Sequence, residues 1–581
     1  MTKIVIVGGV AGGATAAARL RRLSEPDHIV LLERDEYVSF ANCGLPYYIG
    51  NVITDRDDLM VQTVEGLSER FNLDIRNFSE VIGIDRTSKS VTIRKVKTGE
   101  VYTETYDQLI LSPGAKPIVP LIDGLSEADN LFTLRNIPDT DAIVDFINTH
   151  HPKTAVVIGG GFIGVEMAEN LTERGIAVSL VEKMPQVLAP IDFEMAQLVH
   201  KELNKHGVKL VLGDGLSRFS ANGHIIHLES GLELQTDLVI LAIGVSPENG
   251  LAKSAGLMVG ARGHIVTNAK LQTLDAVTQA IDSNVYAIGD AIQVKDVVTN
   301  TDTAIALAWP ANRQGRLVAD IIHGKSTGYN GSLGTSVLKV FDLTVASTGN
   351  NQRTLDVKKL PYQVIHAHRG NHASYYPGAT DIALKLIYDP NTLAILGAQA
   401  VGQEGTEKRI DVISTAIKAK LKVTDLSDLE LAYAPPFSSA KDPVNILGYI
   451  AENVIDGEYK VATIQHVDAL RLQGALFLDV RTPAEFAFGH LPGAINIELD
   501  TLRQRLEEIT VSPDTPIVVN CLVGLRAYVA IRILKGHGYT NLYNLSGGYT
   551  TYKAHHYKLN TARRKEKIVH VDEHTGTIKS H

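Results

Sequence analysis

Lys3-Ile-Val-Ile-Val-Gly8-Gly-Val-Ala-Gly-Gly13 is the stretch on which the fold turns. Its apolar run, 4–7, ends in a glycine turn, and an Ala-rich segment with helical character follows. A second apolar run, Ile29-Val-Leu-Leu-Glu33, completes a strand–turn–helix–strand unit. Gly8, Gly9, Ala11 and Gly12 allow a tight turn whose backbone N–H groups can face a pyrophosphate at a helix N-terminus. Glu33 ends the second strand, where a carboxylate accepts hydrogen bonds from a ribose, and Arg34 beside it is a further candidate contact. Val10 stands where the fingerprint has its middle glycine, so this copy is imperfect.

The unit recurs in complete form. Ala155-Val-Val-Ile-Gly159-Gly-Gly161-Phe162-Ile-Gly164 leads a helix and Ala177-Val-Ser-Leu-Val-Glu182 follows, with Gly159, Gly161, Phe162, Gly164, Glu166 and Glu182 as candidate cofactor contacts. Glu182 repels a 2′-phosphate, which favours NADH over NADPH, and Lys183 moderates that preference. Tyr106-Asp-Gln-Leu-Ile-Leu-Ser-Pro-Gly114 and Thr236-Asp-Leu-Val-Ile-Leu-Ala-Ile-Gly244 echo one another as later strands. The repeat predicts an α/β protein with two Rossmann-like dinucleotide-binding domains.

A third piece, Asn284-Val-Tyr-Ala-Ile-Gly289-Asp290-Ala, resembles the second flavin motif of the two-dinucleotide-binding flavoprotein reductases. That resemblance spans about residues 1–450. It implies that the first unit, with Gly289 and Asp290, binds FAD and that the second binds NADH. It also implies that Trp309 lies near the flavin.

Bulk properties narrow the partners. A chain of 581 residues is expected to hold roughly three to five domains. The net charge of −9 leaves no general basic face, so no nucleic acid is expected. Two cysteines cannot form a disulfide framework and point to a reducing, cytoplasmic setting. No apolar run reaches the ~18 residues of a membrane helix, and the N-terminal run lacks a signal peptide's leader and cleavage site.

One cysteine stands in Val38-Ser39-Phe-Ala-Asn42-Cys43-Gly-Leu-Pro-Tyr-Tyr48, shortly after the first unit, and its fellow is the distant Cys521. A flavin-side thiol without a partner must take its second sulfur from outside or hold oxygen as a sulfenic acid. Cys43 is expected to open a short helix, whose dipole would favour the thiolate.

The stretch from Ser39 to Tyr47 resembles the active-site signature shared by coenzyme A-disulfide reductases and NADH oxidases or peroxidases. The oxidase branch is expected to place a histidine in the first glycine turn, where this chain has Val10. The coenzyme A branch carries C-terminal-domain tyrosines, matched here by Ala373-Ser-Tyr375-Tyr376-Pro-Gly and Leu431-Ala-Tyr433-Ala-Pro-Pro-Phe. A phenol near a leaving thiolate can supply a proton. Arg19 and Arg22 lie three apart on one helix face, which suits an anionic ligand such as coenzyme A. By the same resemblance Thr15, Ser39, Asn42 and Lys441 line that ligand's site.

Further along, Asp381-Ile-Ala-Leu-Lys-Leu-Ile-Tyr-Asp-Pro-Asn-Thr-Leu-Ala-Ile-Leu-Gly reads as a hairpin, and a helix is expected from about 404 to 421. In the family this α+β domain forms a homodimer interface and donates its tyrosines to the partner's site. His366, His368 and His372 lack acidic or cysteine company, so no metal is expected.

From Ala475 the pattern changes. Leu476-Phe-Leu-Asp479-Val-Arg481-Thr-Pro-Ala-Glu485-Phe, Gly489-His490-Leu-Pro-Gly-Ala494-Ile-Asn496, Ile517-Val-Val-Asn-Cys521-Leu-Val-Gly-Leu-Arg526 and Asn544-Leu-Ser-Gly-Gly-Tyr549 resemble the rhodanese pattern. N–H groups of residues 522–526 are expected to converge on the Cys521 sulfur, with Arg526 closing the cradle.

The whole chain resembles coenzyme A-disulfide/persulfide reductases that carry a C-terminal rhodanese domain. The implied division is an FAD domain at 1–115 and 245–325, an NADH domain at 116–244, and an α+β dimerisation domain at 326–452. A linker at 453–463, an α/β rhodanese domain at 464–558 and a polar tail at 559–581 complete it. The implied activity is NADH-driven reduction of a small-molecule thiol derivative through Cys43, with coenzyme A as substrate or bound ligand and sulfur transfer at Cys521. Two alternatives stay open: an NADH oxidase or peroxidase with a Cys43 sulfenate, and a sulfur-trafficking or redox-sensing protein. The motifs do not rank disulfide, persulfide and polysulfide as substrates.

Overall fold

The computed structural model describes residues 1–559 and the backbone of 570–571 and 578–579. The rest of the polar tail expected at 559–581 lies outside the described residues. The chain forms two compact units, one of residues 1–183 and 214–334, the other of 184–213 and 335 onward.

In the first unit the opening stretch does what its pattern dictates. Lys3–Val7 is a strand whose last four residues are buried, and Ala11–Leu23 is the helix behind the glycine turn. The strand pairs in parallel with His28–Leu32 on one side and Gln108–Leu111 on the other. Ile281–Ala287 extends this sheet next to Gln108–Leu111, so the Gly289–Ala291 turn falls at the same sheet edge as the first glycine turn. The second nucleotide unit repeats the plan. Thr154–Ile158 lies between Ala177–Glu182 and Leu238–Leu241, all parallel. Near-continuous Val, Ile and Leu in these strands fits sheets covered on both faces.

The second unit holds an antiparallel sheet in the order Ser336–Val340, Leu343–Gly349, Ile395–Gly402, Asp381–Tyr388, Gln363–Gly370. The expected hairpin is its Asp381–Tyr388 and Ile395–Gly402 pair, with Lys385 opposite Gln399. The expected helix is Thr406–Lys418. A separate parallel sheet follows, in the order Lys460–Ala462, Leu542–Leu545, Ile517–Asn520, Leu476–Asp479, Ile495–Asn496.

Two boundaries differ from the sequence reading. Residues 184–213, expected inside the NADH domain at 116–244, belong to the second unit. The helix Phe193–Lys205 explains this, because its buried Glu194 pairs with buried Lys385 and its preceding Asp192 accepts from Gln399 Nε2 at 2.6 Å. A buried cation needs such carboxylates, and they sit on a segment remote in sequence. The stretch 453–463 is no free linker: it contains the end of helix Pro443–Ile455 and the strand Lys460–Ala462, which pairs with Leu542–Leu545.

Candidate functional site

The first turn is built for close approach. Gly8 has φ +99°, and a Cβ there would lie 2.1 Å from Ser112 O. At Gly13 a Cβ would meet Gly8 O at 1.8 Å, so only glycine lets the helix start against the strand. No side chain caps the Ala11–Leu23 helix, whose first N–H groups are thus available to an anion. Glu33 is buried, its Oε2 accepting the Gly9 N–H at 2.8 Å and its Oε1 the Asp35 N–H at 3.0 Å. Burial pushes its carboxyl up while these bonds pull it down. Arg34 pairs with Glu248 at 3.0 Å.

The second turn is a close copy. Gly159 has φ +110°, a Cβ on Gly164 would meet Gly159 O at 1.8 Å, and Gly161 faces open space. Glu182 Oε2 accepts the Gly160 N–H at 2.6 Å, as Glu33 does from Gly9. Phe162 opens the Phe162–Glu173 helix and Glu166 lies in its second turn. Both turns therefore fit a dinucleotide pyrophosphate, with a carboxylate held at the end of the neighbouring strand. Gly289 N–H donates to Gln314 Oε1 at 2.7 Å, and burial raises the adjacent Asp290 carboxyl to about 6 against the opposing pull of Arg135.

Cys43 is exposed and unpaired, in the single 3-10 turn Asn42–Gly44 that leads into the short helix Leu45–Ile49. Ser39, four residues before it, takes φ +50° and donates its N–H to Gly9 O at 3.0 Å. A strained non-glycine residue thus ties the cysteine loop to the first glycine turn. Against the expected thiolate-favouring field, partial desolvation first, then the Glu166 and Asp290 carboxylates, push the Cys43 thiol up. The helix after it has five residues, too short for a strong dipole.

The residues assigned to coenzyme A divide. Arg19 turns onto Asp320, with Nη2 at 2.7 Å, and Thr15 Oγ1 donates to Asn312 Oδ1 at 2.7 Å. Arg22 is exposed with its guanidinium 5.9 Å from the Phe71 ring centre, and Asn42 is exposed next to Cys43. Trp309 is exposed at the start of the Ala308–Ile322 helix.

In the second unit Tyr375 and Tyr433, 58 residues apart, meet with their hydroxyl oxygens 2.8 Å from each other, and both are exposed. The bond to Tyr375 pushes the Tyr433 phenol up. Arg409 holds their loops and was not singled out from sequence. Buried at 1% exposure, it donates to Asn371 O at 2.8 Å, Ser438 Oγ at 3.2 Å and Asp442 Oδ2 at 2.9 Å. Lys441 is exposed beside this knot, with Nζ 6.0 Å from the Tyr449 ring centre.

The three histidines have other partners. His366 lies 3.1 Å from Glu194 Oε1 and 2.9 Å from Ser546 Oγ, His368 lies 2.7 Å from Thr551 Oγ1, and His372 lies 3.1 Å from Ala373 O. Glu202, His206 and Asp342 do gather like ligands, but Lys205 Nζ already bridges the two carboxylates at 3.0 and 2.7 Å.

Cys521 ends the buried strand Ile517–Asn520 and is itself 1% exposed. The Gly524 N–H donates to its Sγ at 3.1 Å, with Gly524 at φ +111°. Gly548 must be glycine-like, since a Cβ there would lie 2.4 Å from Cys521 O. Arg526 forms a forked pair with Glu485, both bonds 2.7 Å, and so fixes the loop.

Two dinucleotide units, one interrupting the other in sequence, with a lone thiol beside the first, define a nucleotide-dependent oxidoreductase that carries a separate cysteine-loop module. Known proteins agree with that class. Residues 2–315 match the description "Pyridine nucleotide-disulphide oxidoreductase", 335–443 match its dimerisation domain, and 463–555 match a rhodanese-like domain. The chain belongs to the pyridine nucleotide-disulphide oxidoreductase family.

Among curated relatives, the coenzyme A disulfide reductase of Staphylococcus haemolyticus is 37% identical over 455 residues, 78% of this chain and 100% of that protein. Among solved structures, CoADR-RHD of Bacillus anthracis is 56% identical with a TM-score of 0.92, covering 95% of this chain and 98% of that one. The NAD-dependent persulfide reductase from A. fulgidus is 34% identical with a TM-score of 0.87, covering 96% and 100%.

Proposed function

We propose that this chain is an FAD-dependent, NADH-driven reductase of coenzyme A disulfide, coenzyme A persulfide or polysulfide, with a rhodanese domain that carries sulfane sulfur on Cys521. The observation that carries the reading is Cys43: exposed, tied to the first glycine turn through Ser39, and the one cysteine of its compact unit. With no second cysteine in its own unit, such a thiol takes its redox partner from outside that unit, and here the reading is a diffusing sulfur compound rather than oxygen. The names of the Staphylococcus, B. anthracis and A. fulgidus relatives support the same class of substrate.

When bound, the nicotinamide and flavin supply two electrons as hydride. Glu33 with Gly9 and Glu182 with Gly160 hold the two turns in shape for them. Cys43 sulfur bonds to one sulfur of the substrate, and the S–S bond of the substrate breaks. The departing coenzyme A thiolate takes a proton from the Tyr375–Tyr433 pair, which a second copy of the chain brings to the site across a homodimer interface, and the pair regains that proton from solvent before the next turnover. Two electrons then break the bond on Cys43 and free thiol, or sulfide when the substrate is a persulfide. Exposed Arg22 and Asn42 are free to meet the anionic and polar parts of coenzyme A, with exposed Lys441 supplied like the tyrosines by a second copy, whereas Arg19 ties its helix to the Ala308–Ile322 helix through Asp320.

The test is NADH oxidation with coenzyme A disulfide, coenzyme A persulfide, polysulfide and oxygen side by side, with sulfide measured. The sulfur substrates are expected to outrun oxygen by at least about tenfold. An oxygen rate equal to theirs makes the protein an oxidase and removes this reading.

A further inference from the structure

The Cys521 loop is held from behind by one short segment, 544–550. Tyr549 N–H donates to Cys521 O at 2.8 Å and Thr550 N–H to Leu522 O at 3.0 Å, both from the first turn of the Gly548–His555 helix. Asn544 Nδ2 donates to Gly524 O at 3.2 Å. A planar trans peptide sends its N–H opposite to its carbonyl, so bonds at the Cys521 and Leu522 carbonyls turn the N–H groups of Leu522 and Val523 away from that helix. The Gly524 N–H is already on Sγ at 3.1 Å. The segment thus sets the peptide planes that can stabilise an anion on Cys521.

What sets the segment lies partly outside the module. Ser546 N–H donates to Ala462 O at 2.8 Å within it. Ser546 Oγ, however, accepts the backbone N–H of His366 at 2.9 Å and lies 2.9 Å from that residue's ring Nδ1. His366 belongs to the Gln363–Gly370 strand of the antiparallel sheet. Its Nε2 lies 3.1 Å from Glu194 Oε1, and an ionised carboxylate only accepts, so Nε2 carries the ring proton. Burial pushes the ring's pKa down against the pull of Glu194, which keeps it neutral at neutral pH and leaves Nδ1 to accept from the Ser546 hydroxyl. Glu194 is fixed in turn by buried Lys385, which also pairs with Asp192 at 2.9 Å. The backbones are close too: a Cβ on Gly547 would lie 3.0 Å from His366 Cβ. Two positions along the strand, His368 Nε2 lies 2.7 Å from Thr551 Oγ1 and fastens the same helix.

We propose that His366 is a positioning residue for sulfur transfer at Cys521, acting through Ser546 on the segment that orients the cysteine loop. This rests on Cys521 being the sulfur carrier. In the step it serves, the Cys521 thiolate attacks the outer sulfur of a donor such as thiosulfate, the donor's S–S bond breaks, and sulfite leaves with the bonding electrons. An acceptor thiolate then takes that sulfur and Cys521 returns as thiolate, so no oxidant or reductant is consumed. The dimerisation sheet thus completes the sulfur-transfer site of the module mounted on it.

The full-length holoenzyme tests this with two readouts: thiosulfate-dependent sulfur transfer to a thiol, and peptide-resolved iodoacetamide alkylation of Cys521 across pH. Asn places an acceptor where His has Nδ1, whereas Gln reaches only the Nε2 position. His366→Asn is therefore expected to transfer sulfur within about twofold of the native rate, and His366→Gln and Ser546→Ala to lose about five- to tenfold in kcat. In these two the alkylation midpoint is expected to rise by about half a pH unit or more, since the anion loses its oriented N–H groups. Mere loosening would instead open a cysteine that is 1% exposed and speed its alkylation at every pH. NADH-driven reduction of coenzyme A disulfide, which does not pass through Cys521, reports that each variant is folded. Should a histidine variant fail to fold, Ser546→Ala decides, since it removes one oxygen from a half-buried position. A native rate or an unmoved midpoint in Ser546→Ala, or a loss in His366→Asn equal to that in His366→Gln, overturns the assignment. Cys521→Ser is run alongside: sulfur transfer retained there would instead remove Cys521 as the carrier.

Discussion

Cys43 and Cys521 carry opposite environments with the same atom. Cys43 is exposed among carboxylates, whereas Cys521 is enclosed by its own loop and held by the Gly524 N–H. That loop depends on Arg526, whose forked bond holds the Glu485 carboxyl down at about 2. A carboxylate lowered on folding stabilises above its unfolded value of about 4.3, and the contribution vanishes as pH falls toward 2. The pair is about one-third exposed, so solvent screening limits it to roughly 1 kcal/mol. Glu485→Gln should therefore lower hydrogen-exchange protection of the loop peptide about fivefold at neutral pH, and the difference should close near pH 2. Both cysteines were legible from sequence because each sits in a short contiguous pattern. The left-handed Ser39, the His366–Ser546 contact and Arg409 were not, because each gains its meaning from residues far off in the chain.

At the level of elements, the two glycine turns make separable demands. Gly13→Ala and Gly164→Ala each place a methyl inside van der Waals contact with a carbonyl of the same turn, 1.8 Å from Gly8 O and Gly159 O. The first should purify with little flavin absorbance. The second should keep its flavin and raise the KM for NADH by about tenfold or more. The tyrosine loops are a second such case, since both hang on buried Arg409 and its Asp442 partner. Arg409→Ala strands Asp442 without its cation and is expected to cost about 3–5 kcal/mol. A lower Tm and loss of coenzyme A disulfide turnover should appear together, with the flavin spectrum unchanged. The strands and turns of this half were readable because β–turn–helix order is local. The excursion of 184–213 into the second unit was not, because a helix pattern does not say which sheet it will cover.

Across the whole molecule, a parallel-sheet module with its own cysteine follows the dimerisation sheet without a free tether. His366 and His368 of that sheet reach Ser546 and Thr551 of the module, and Gln197 of the Phe193–Lys205 helix donates to His555 O at 2.9 Å. The sequence reading gave these histidines no role and gave 453–463 the role of a linker. The module is instead part of the unit's buried polar packing. The two cysteines are still expected to serve different steps. Cys521→Ser should abolish sulfur transfer from thiosulfate to a thiol acceptor and leave NADH-driven reduction of coenzyme A disulfide within about twofold of the native rate.

The central claim is that a solitary sulfur beside the nucleotide turn completes its chemistry with a sulfur from outside. Intact and peptide mass spectrometry of the holoenzyme, treated with coenzyme A disulfide in the absence of NADH, asks this directly. The account predicts one coenzyme A per chain, joined to Cys43 and released on adding NADH. An unmodified Cys43, or an adduct that NADH leaves in place, would contradict it.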